Sequence, residues 1–518
     1  ASCLIIAATL YRQWQQPTNL GIYGISWAVE LGVAETVRLA GGSTLELAVA
    51  NIILGLVTLI ASDWWLSKRR RVIALSSVEI LPLLYALLGF GLRFGQFTSW
   101  TGLLTLGAAL TGIDVGRRRG EWKPLIYLSL AGVSFAWYEL VIYQMLQASG
   151  GSLADAFTIL AGVAVAIAFI YRLLAWFWQL RSRETFLSLS VAEIKITAHI
   201  HWAIGSFLMA LAASIAIETE PRLTAVGIAL CLLLAPYALV QGRQNPNLKA
   251  AYIWVYIGLI ELAATGVYAR LTLSVLSALD AWRALIACGV AYCIYELPWN
   301  RWGWPKTPWK HASLVLPVLT VLATSAVISD ASLLLVAGFY AWIAKRGSNL
   351  RLTYLSVALI DWAIARWFER LHLTDVLWYA TLFGLSLLYV AQFDPALKQP
   401  KQRQIRHYLR ILGSGVICVV ALVFHQDTGL IPGIISIIAI FAGLILRVRA
   451  FLFVGTATFL LTAFYQLVVL ISRYSFVKWV VGLIVGIFFI GMAANFENRR
   501  EQLTSVFLNS RNELGAWE

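Results

Sequence analysis

Apolar runs of about 17 to 25 residues, each closed by a charged or turn-forming cluster, follow one another along almost the whole chain, and a helix of that length matches a hydrocarbon layer about 30 Å thick. They lie near 19–40, 45–66, 72–94, 98–115, 124–147, 153–178, 198–217, 222–240 and 250–270, and then near 275–296, 312–328, 331–344, 352–371, 374–392, 408–424, 429–446, 450–471 and 475–494. The pattern predicts an all-α polytopic membrane protein with about eighteen transmembrane helices. An open sheet would leave its backbone unsatisfied in lipid, and the runs lack the strict alternation of a barrel.

The connections alternate in character. Odd-to-even turns are short and poorly basic: Gly41-Gly42-Ser43, Gly150-Gly151-Ser152, Glu218 to Pro221, Ser329-Asp330 and His425 to Asp427. Even-to-odd links are basic: Lys68 to Arg71, Arg117 to Arg119, Arg301 with Lys306 and Lys310, Lys345-Arg346, and the stretch from Lys398 to Arg410. Of the 40 lysines and arginines, Arg38, Arg93, Arg222, Arg270, Arg370 and Arg473 fall on the opposite side, and Arg172, Arg283, Arg366 and Lys478 inside runs. All others collect on the basic side. That bias is the mark of cytoplasmic loops, so the basic links and the C-terminus are expected in the cytoplasm. Arg172 is near enough to the basic side for its head to snorkel.

The chain also repeats. Glu30 and Glu46 are separated as Glu139 and Asp155 are, each pair with Gly-Gly-Ser between; Glu261 and Asp361 mark two later copies, and a fifth from Phe451 lacks the acid. A second hairpin type opens with Leu75 to Ile80 and again with Leu189 to Ile194. The predicted unit is two alternating hairpins, stacked in tandem as a membrane-embedded solenoid. Its parts are 1–18 (the end of a preceding helix and a basic-side link), repeats at 19–122, 123–247, 248–348 and 349–449, a terminal hairpin at 450–494, and an amphipathic cytoplasmic tail at 495–518. Ala1 and the short run Cys3 to Tyr11 suggest a longer protein whose preceding helix is cut.

Composition narrows the function. A 518-residue chain that is 60% hydrophobic and 13% charged cannot enclose its apolar residues in a soluble core. Its net charge of +14 does not indicate nucleic-acid binding, because the basic residues are divided among breaks between runs. Cys3, Cys231, Cys288, Cys293 and Cys418 all lie in apolar runs, where thiols act as small apolar groups. The histidines are too dispersed for a metal site; His199 and His201 point to nearly opposite helix faces. No catalytic, nucleotide or metal signature and no cofactor is evident, although bound lipid or pigment is compatible.

The candidate site residues are the mid-run acids Glu30, Glu139, Glu261 and Asp361, because a carboxylate at the bilayer centre costs about 2.5 to 3.5 kcal/mol on insertion scales. They read either as proton or cation sites or as carboxyl groups hydrogen-bonding adjacent helices. Tyr23, Trp254 and Tyr354 each precede an acid by seven residues, on one helix face. Asp280 with Arg283, and Arg366 with Glu369, are spaced to pair. Trp299, Arg301, Trp302, Trp304, Lys306, Trp309 and Lys310 form a candidate partner or lipid surface. Gly482 and Gly486 have the spacing of a close helix contact.

The closing segment runs from Gly455-Thr456 through Tyr465-Gln466-Leu467, Trp479 and Gly482 to Asn495-Phe496-Glu497-Asn498-Arg499-Arg500 and Trp517-Glu518. It resembles the C-terminal part of large uncharacterised repeat-built polytopic membrane proteins of cyanobacteria. The resemblance implies a thylakoid or plasma membrane and carries no activity. Taken together, the residues point to a non-enzymatic membrane scaffold or accessory subunit that packs against other membrane proteins, pigments or lipids. The alternative is a proton- or cation-coupled transporter or channel using the acids.

Overall fold

In the computed structural model the described residues are 18–68, 76–118, 122–181, 185–186, 189–216, 219, 221–474 and 476–491, with scattered positions before residue 18. The predicted tail at 495–518 lies outside them. They form two units, residues 1–277 with 299–308, and residues 278–298 with 309–518.

In the first unit the helices are α1 (Asn19–Leu39), α2 (Thr44–Lys68), α3 (Ser76–Leu92), α4 (Thr101–Arg118), α5 (Lys123–Gln147), α6 (Leu153–Leu180), α7 (Val191–Ile215), α8 (Thr224–Gly242) and α9 (Leu248–Thr272). A two-residue antiparallel ladder, β1 (Thr185–Phe186) with β2 (Leu189–Ser190), interrupts the link between α6 and α7. The second unit holds α10 (Arg283–Glu296), most of α11 (Lys306–Ala323), α12 (Asp330–Arg346), α13 (Leu352–Arg370), α14 (Val376–Phe393), α15 (Arg403–Phe424), α16 (Leu430–Leu446), α17 (Arg449–Arg473) and α18 (Phe476–Gly491). Each apolar run thus corresponds to a helix. Among the described residues, ten helical segments are long and apolar enough to cross a membrane. Their outward faces carry large apolar side chains such as Leu128, Phe207, Ile260 and Phe464, which suits a hydrocarbon solvent.

The packing departs from the predicted hairpins. The closest pairs are α2–α3, α4–α5, α6–α7, α8–α9, α12–α13, α14–α15 and α16–α17, whereas α1 touches α2 only lightly across Gly41-Gly42-Ser43. Close partners are therefore joined through the basic links, and the predicted repeat boundaries fall inside them. Small residues on facing sides are the reason, because they allow backbones to approach. A Cβ on Gly55 would stand 3.1 Å from the Pro82 carbonyl, and one on Gly102 2.8 Å from that of Ala136. Between α14 and α15 the contact is mutual: a Cβ on Gly384 would meet the Gly413 carbonyl at 2.6 Å, and one on Gly413 the Gly384 carbonyl at 2.9 Å. Gly482 and Gly486, by contrast, have nothing within 4 Å, so the close contact predicted from their spacing is not made with the described residues.

The short turns are built as caps. Ser43 donates its backbone N–H to Glu46 and accepts from the N–H of Glu46, and Ser152 with Asp155 and Ser190 with Glu193 do the same, a reciprocal arrangement that satisfies donors at a helix start. Asp155 also accepts from the N–H groups of Arg222 and Leu223, which fixes the start of α8. The acids that recur after Gly-Gly-Ser are thus helix caps.

Candidate functional site: four carboxyl groups between helices

Glu30, Glu139, Glu261 and Asp361 lie on α1, α5, α9 and α13, one on every fourth helix. Glu30 and Ser26 are the buried residues of α1. Asn51 of α2, fully buried, donates its Nδ2 to Glu30 Oε1 at 2.9 Å and to the Leu47 carbonyl at 3.0 Å. One turn earlier, the hydroxyl of Tyr85 on α3 donates to the Ser26 carbonyl at 2.8 Å. Polar bonds thus hold α1 where its apolar packing is light. Two oxygens of this cluster, Glu30 Oε2 and Asn51 Oδ1, are buried without a hydrogen-bond partner among the described residues.

Glu139 is more strongly held. Arg93, just beyond α3, places Nη1 2.9 Å from Glu139 Oε1, with side-chain exposures of 7% and 8% for cation and acid. Thr105 of α4 donates its hydroxyl to Oε2. The Arg93 guanidinium also lies over the Phe90 ring, 4.4 Å from its centroid. The topology assignment put Arg93 among the charges at the far membrane face; it is a buried ion-pair partner.

Asp361 accepts from the Ser386 hydroxyl of α14, across a lightly packed helix boundary. Glu261, half-buried, is faced by Ser206 of α7, whose hydroxyl is buried and has no partner at hydrogen-bond distance among the described residues. The aromatic residue that precedes Glu261, Trp254, packs against α7, 4.8 Å from the His199 ring and 5.3 Å from Trp202. Tyr23 remains exposed.

Sequence reasoning found the acids and missed their partners, Asn51, Arg93, Thr105, Ser206 and Ser386. A signal existed in Asn51 and Ser386, polar residues inside the apolar run that follows each acid. The other ion pairs divide. Arg283 pairs with Asp280 as the spacing suggested, whereas Arg366 donates to the Ile328 carbonyl at 2.6 Å and lies 3.6 Å from Asp330. Asp330 also takes Arg370, so α13 is anchored to the start of α12.

The tryptophan-rich link is largely engaged by its own chain. Within the first unit, Trp304 donates Nε1 to the Leu239 carbonyl at 2.8 Å, the Gly303 carbonyl accepts from Gln244 at 2.8 Å, and Arg243 donates to the Trp302 carbonyl at 2.9 Å. Trp299 is buried and meets Trp302 and Trp304 edge-on. In the second unit Trp309 is buried and Lys310 lies 5.6 Å from the Tyr295 ring centroid. Only Arg301, Trp302 and Lys306 of the seven are exposed.

His199 and His201 do face apart. His199 Nδ1 meets the Tyr237 hydroxyl of α8 at 2.9 Å, and His201 Nε2 meets the Ser134 hydroxyl of α5 at 2.9 Å. Among the described residues no group of three or more His, Cys, Asp and Glu could hold a metal ion. Comparison of the chain with known protein families, with characterised proteins and with solved structures finds no match.

Proposed function

We propose that this protein is a non-enzymatic integral membrane scaffold or accessory subunit, whose lateral apolar faces pack against other membrane proteins, pigments or lipids. In this reading all eighteen helices cross the bilayer in a tandem stack, with the basic links and the C-terminus in the cytoplasm. A thylakoid or plasma membrane follows from the C-terminal resemblance. The observation that carries the reading is the use of the acids as helix ties: Glu30 to Asn51, Glu139 to Arg93 and Thr105, and Asp361 to Ser386. Each of these three acids has a partner on a different helix, as packing requires.

The rival reading, proton- or cation-coupled transport, draws support from the two unpartnered buried oxygens at Glu30 and Asn51. Proteoliposomes distinguish them. The scaffold reading expects no proton or cation flux above that of empty vesicles, and no change in Glu30→Gln or Glu261→Gln. It also expects a stoichiometric membrane-protein partner on native purification. Flux abolished by either substitution would overturn it.

A further inference from the structure

Two stretches at the basic end of the first unit are tied into one surface. Arg243 follows the last residue of α8, and the link at 299–308 is fastened to it by three hydrogen bonds. The Trp302 carbonyl accepts from Arg243 Nε at 2.9 Å, the Gly303 carbonyl from the Gln244 N–H at 2.8 Å, and the Leu239 carbonyl from Trp304 Nε1 at 2.8 Å. Gly303, at φ +87°, permits the approach, because a Cβ there would stand 2.9 Å from Gln244 Cγ. The backbone that carries Arg301 and Lys306 is thereby held against that of Arg243, and all three side chains are exposed. Every residue of 239–252 and 299–308 is described, and neither stretch contains an acid.

Arg243 is oriented before any ligand arrives. Its Nε is fixed by the Trp302 carbonyl, and its guanidinium lies over the Trp304 ring, 5.2 Å from the centroid. The two terminal nitrogens have no acceptor among the described residues, and a guanidinium held through Nε offers them as a fork to a phosphate. The depth is that of headgroups, since α8 is long and apolar enough to cross a membrane and ends one residue before Arg243. Exposed apolar residues adjoin the cations: Val240 on the last turn of α8, Leu248 at the start of α9 and Trp302 on the link. Tryptophan favours this depth. A free anion would use only the cations, whereas a lipid would use both.

We propose that Arg243, with Arg301 and Lys306, binds the phosphate headgroup of an anionic membrane lipid, the Arg243 fork taking its oxygens and Trp302 lying against its upper acyl region. Basic recesses at the ends of transmembrane helices suit such headgroups. The site rests on the membrane-spanning reading given above.

The full chain is purified and placed in nanodiscs of phosphatidylcholine with a minor share of phosphatidylglycerol, and retained lipid is counted by native mass spectrometry. Three interfacial cations correspond to a preference of about 10²-fold for the anionic lipid. Arg243→Gln/Arg301→Gln/Lys306→Gln loses one phosphatidylglycerol per chain, whereas Lys398→Gln/Lys401→Gln, which removes two exposed cations from the basic link before α15, keeps it. Equal losses in the two variants would mark diffuse attraction to basic loops, and no loss in the first would mark no site; either overturns the proposal. So does displacement by inorganic phosphate at equal concentration, which would mark a free-anion site, or loss of a bound soluble protein with lipid retention unchanged. If the triple variant does not fold, Arg301→Gln/Lys306→Gln, which breaks no bond between described residues, must still lower the preference by about 30-fold, and an unchanged preference overturns the site. A native chain that retains both lipids alike overturns the site alone, and one that retains neither overturns the membrane reading with it.

Discussion

Replacing Glu139 by Gln keeps the size of the side chain and removes its charge. Arg93 then sits 7% exposed with no counter-ion, and its Nε is already buried without a partner. Removing one partner of a buried pair costs about 3 to 5 kcal/mol, because the remaining charge stays desolvated. Thr105 can still donate to the new amide oxygen, so the charge alone is at stake. Against a tenfold change in equilibrium constant per 1.4 kcal/mol, the folding equilibrium constant should fall by a factor of about 10² to 4 × 10³. Replacing both members by apolar residues of similar volume, Arg93→Met with Glu139→Leu, should recover most of that loss, since neither charge then needs solvation. Unfolding in mixed micelles, followed by tryptophan fluorescence, measures both variants. A loss below about 1 kcal/mol for Glu139→Gln, or a double variant no more stable than the single one, would refute the view of this pair as a buried, mutually dependent tie.

Three further outcomes are expected. Glu30→Gln should be within about 0.5 kcal/mol of the native chain or more stable, because the amide still accepts from Asn51 Nδ2 and gains an N–H for the unpartnered Asn51 Oδ1; a large loss in the same assay would mean that the carboxylate charge itself is needed. Gly384→Leu should destabilise by about 1 to 3 kcal/mol, since even its Cβ would stand 2.6 Å from the Gly413 backbone carbonyl, while Gly482→Leu should be neutral; equal effects would contradict the α14–α15 contact. Asp394, just beyond α14, is subject to burial that pushes its carboxyl up, but the N–H of Ala396 at 2.8 Å, the nearby Tyr354 hydroxyl and Arg351 more than offset it and hold the group below its ordinary value of 3.8. A depressed carboxyl stabilises the folded state above its unfolded value and loses that contribution as pH falls through the folded one. The gap in thermal midpoint between native and Asp394→Asn should therefore be constant near neutrality and close below about pH 4, and a gap that persists unchanged to pH 2 would exclude the mechanism.

The position of the helices could be read from the chain because in lipid an apolar run of sufficient length leaves the backbone no alternative. The run 275–296, which has a charge pair inside it, is not α-helical throughout. There a 3-10 segment (Ser274–Trp282) comes first, and the α-helix begins at Arg283, whose side chain reaches back to Asp280. Helix pairing was not legible in the same way. A short turn fixes only that two ends are near, and the approach of two helices depends on which faces carry glycine and alanine. Gly384 and Gly413 are 29 residues apart and became recognisable as a contact only once both helices were oriented. The caps carry a local signal, Ser-x-x-Asp/Glu at residues 43, 152 and 190, but the sequence reading used these acids only as markers of the repeat.

The partners of the acids bear most directly on function. Four repeated positions meet four different surroundings: an amide, a guanidinium with a hydroxyl, a serine hydroxyl held at a distance, and a serine hydroxyl in contact. A ligand shared by repeats would need like groups presented alike, because binding depends on the donor set. Packing makes no such demand, since any donor that reaches across satisfies a carboxyl group in lipid, and interhelical bonds of this kind are worth only about 0.6 kcal/mol on average. Such ties are individually weak, so they can differ in chemistry without loss to the whole. Only the Arg93–Glu139 pair departs from this, because its charges are buried together and neither can be removed alone. On the scaffold reading proposed above, the repeated acid answers a recurrent need for one polar tie between neighbouring helices, met at Glu30, Glu139 and Asp361 by whichever side chain the adjacent helix presents.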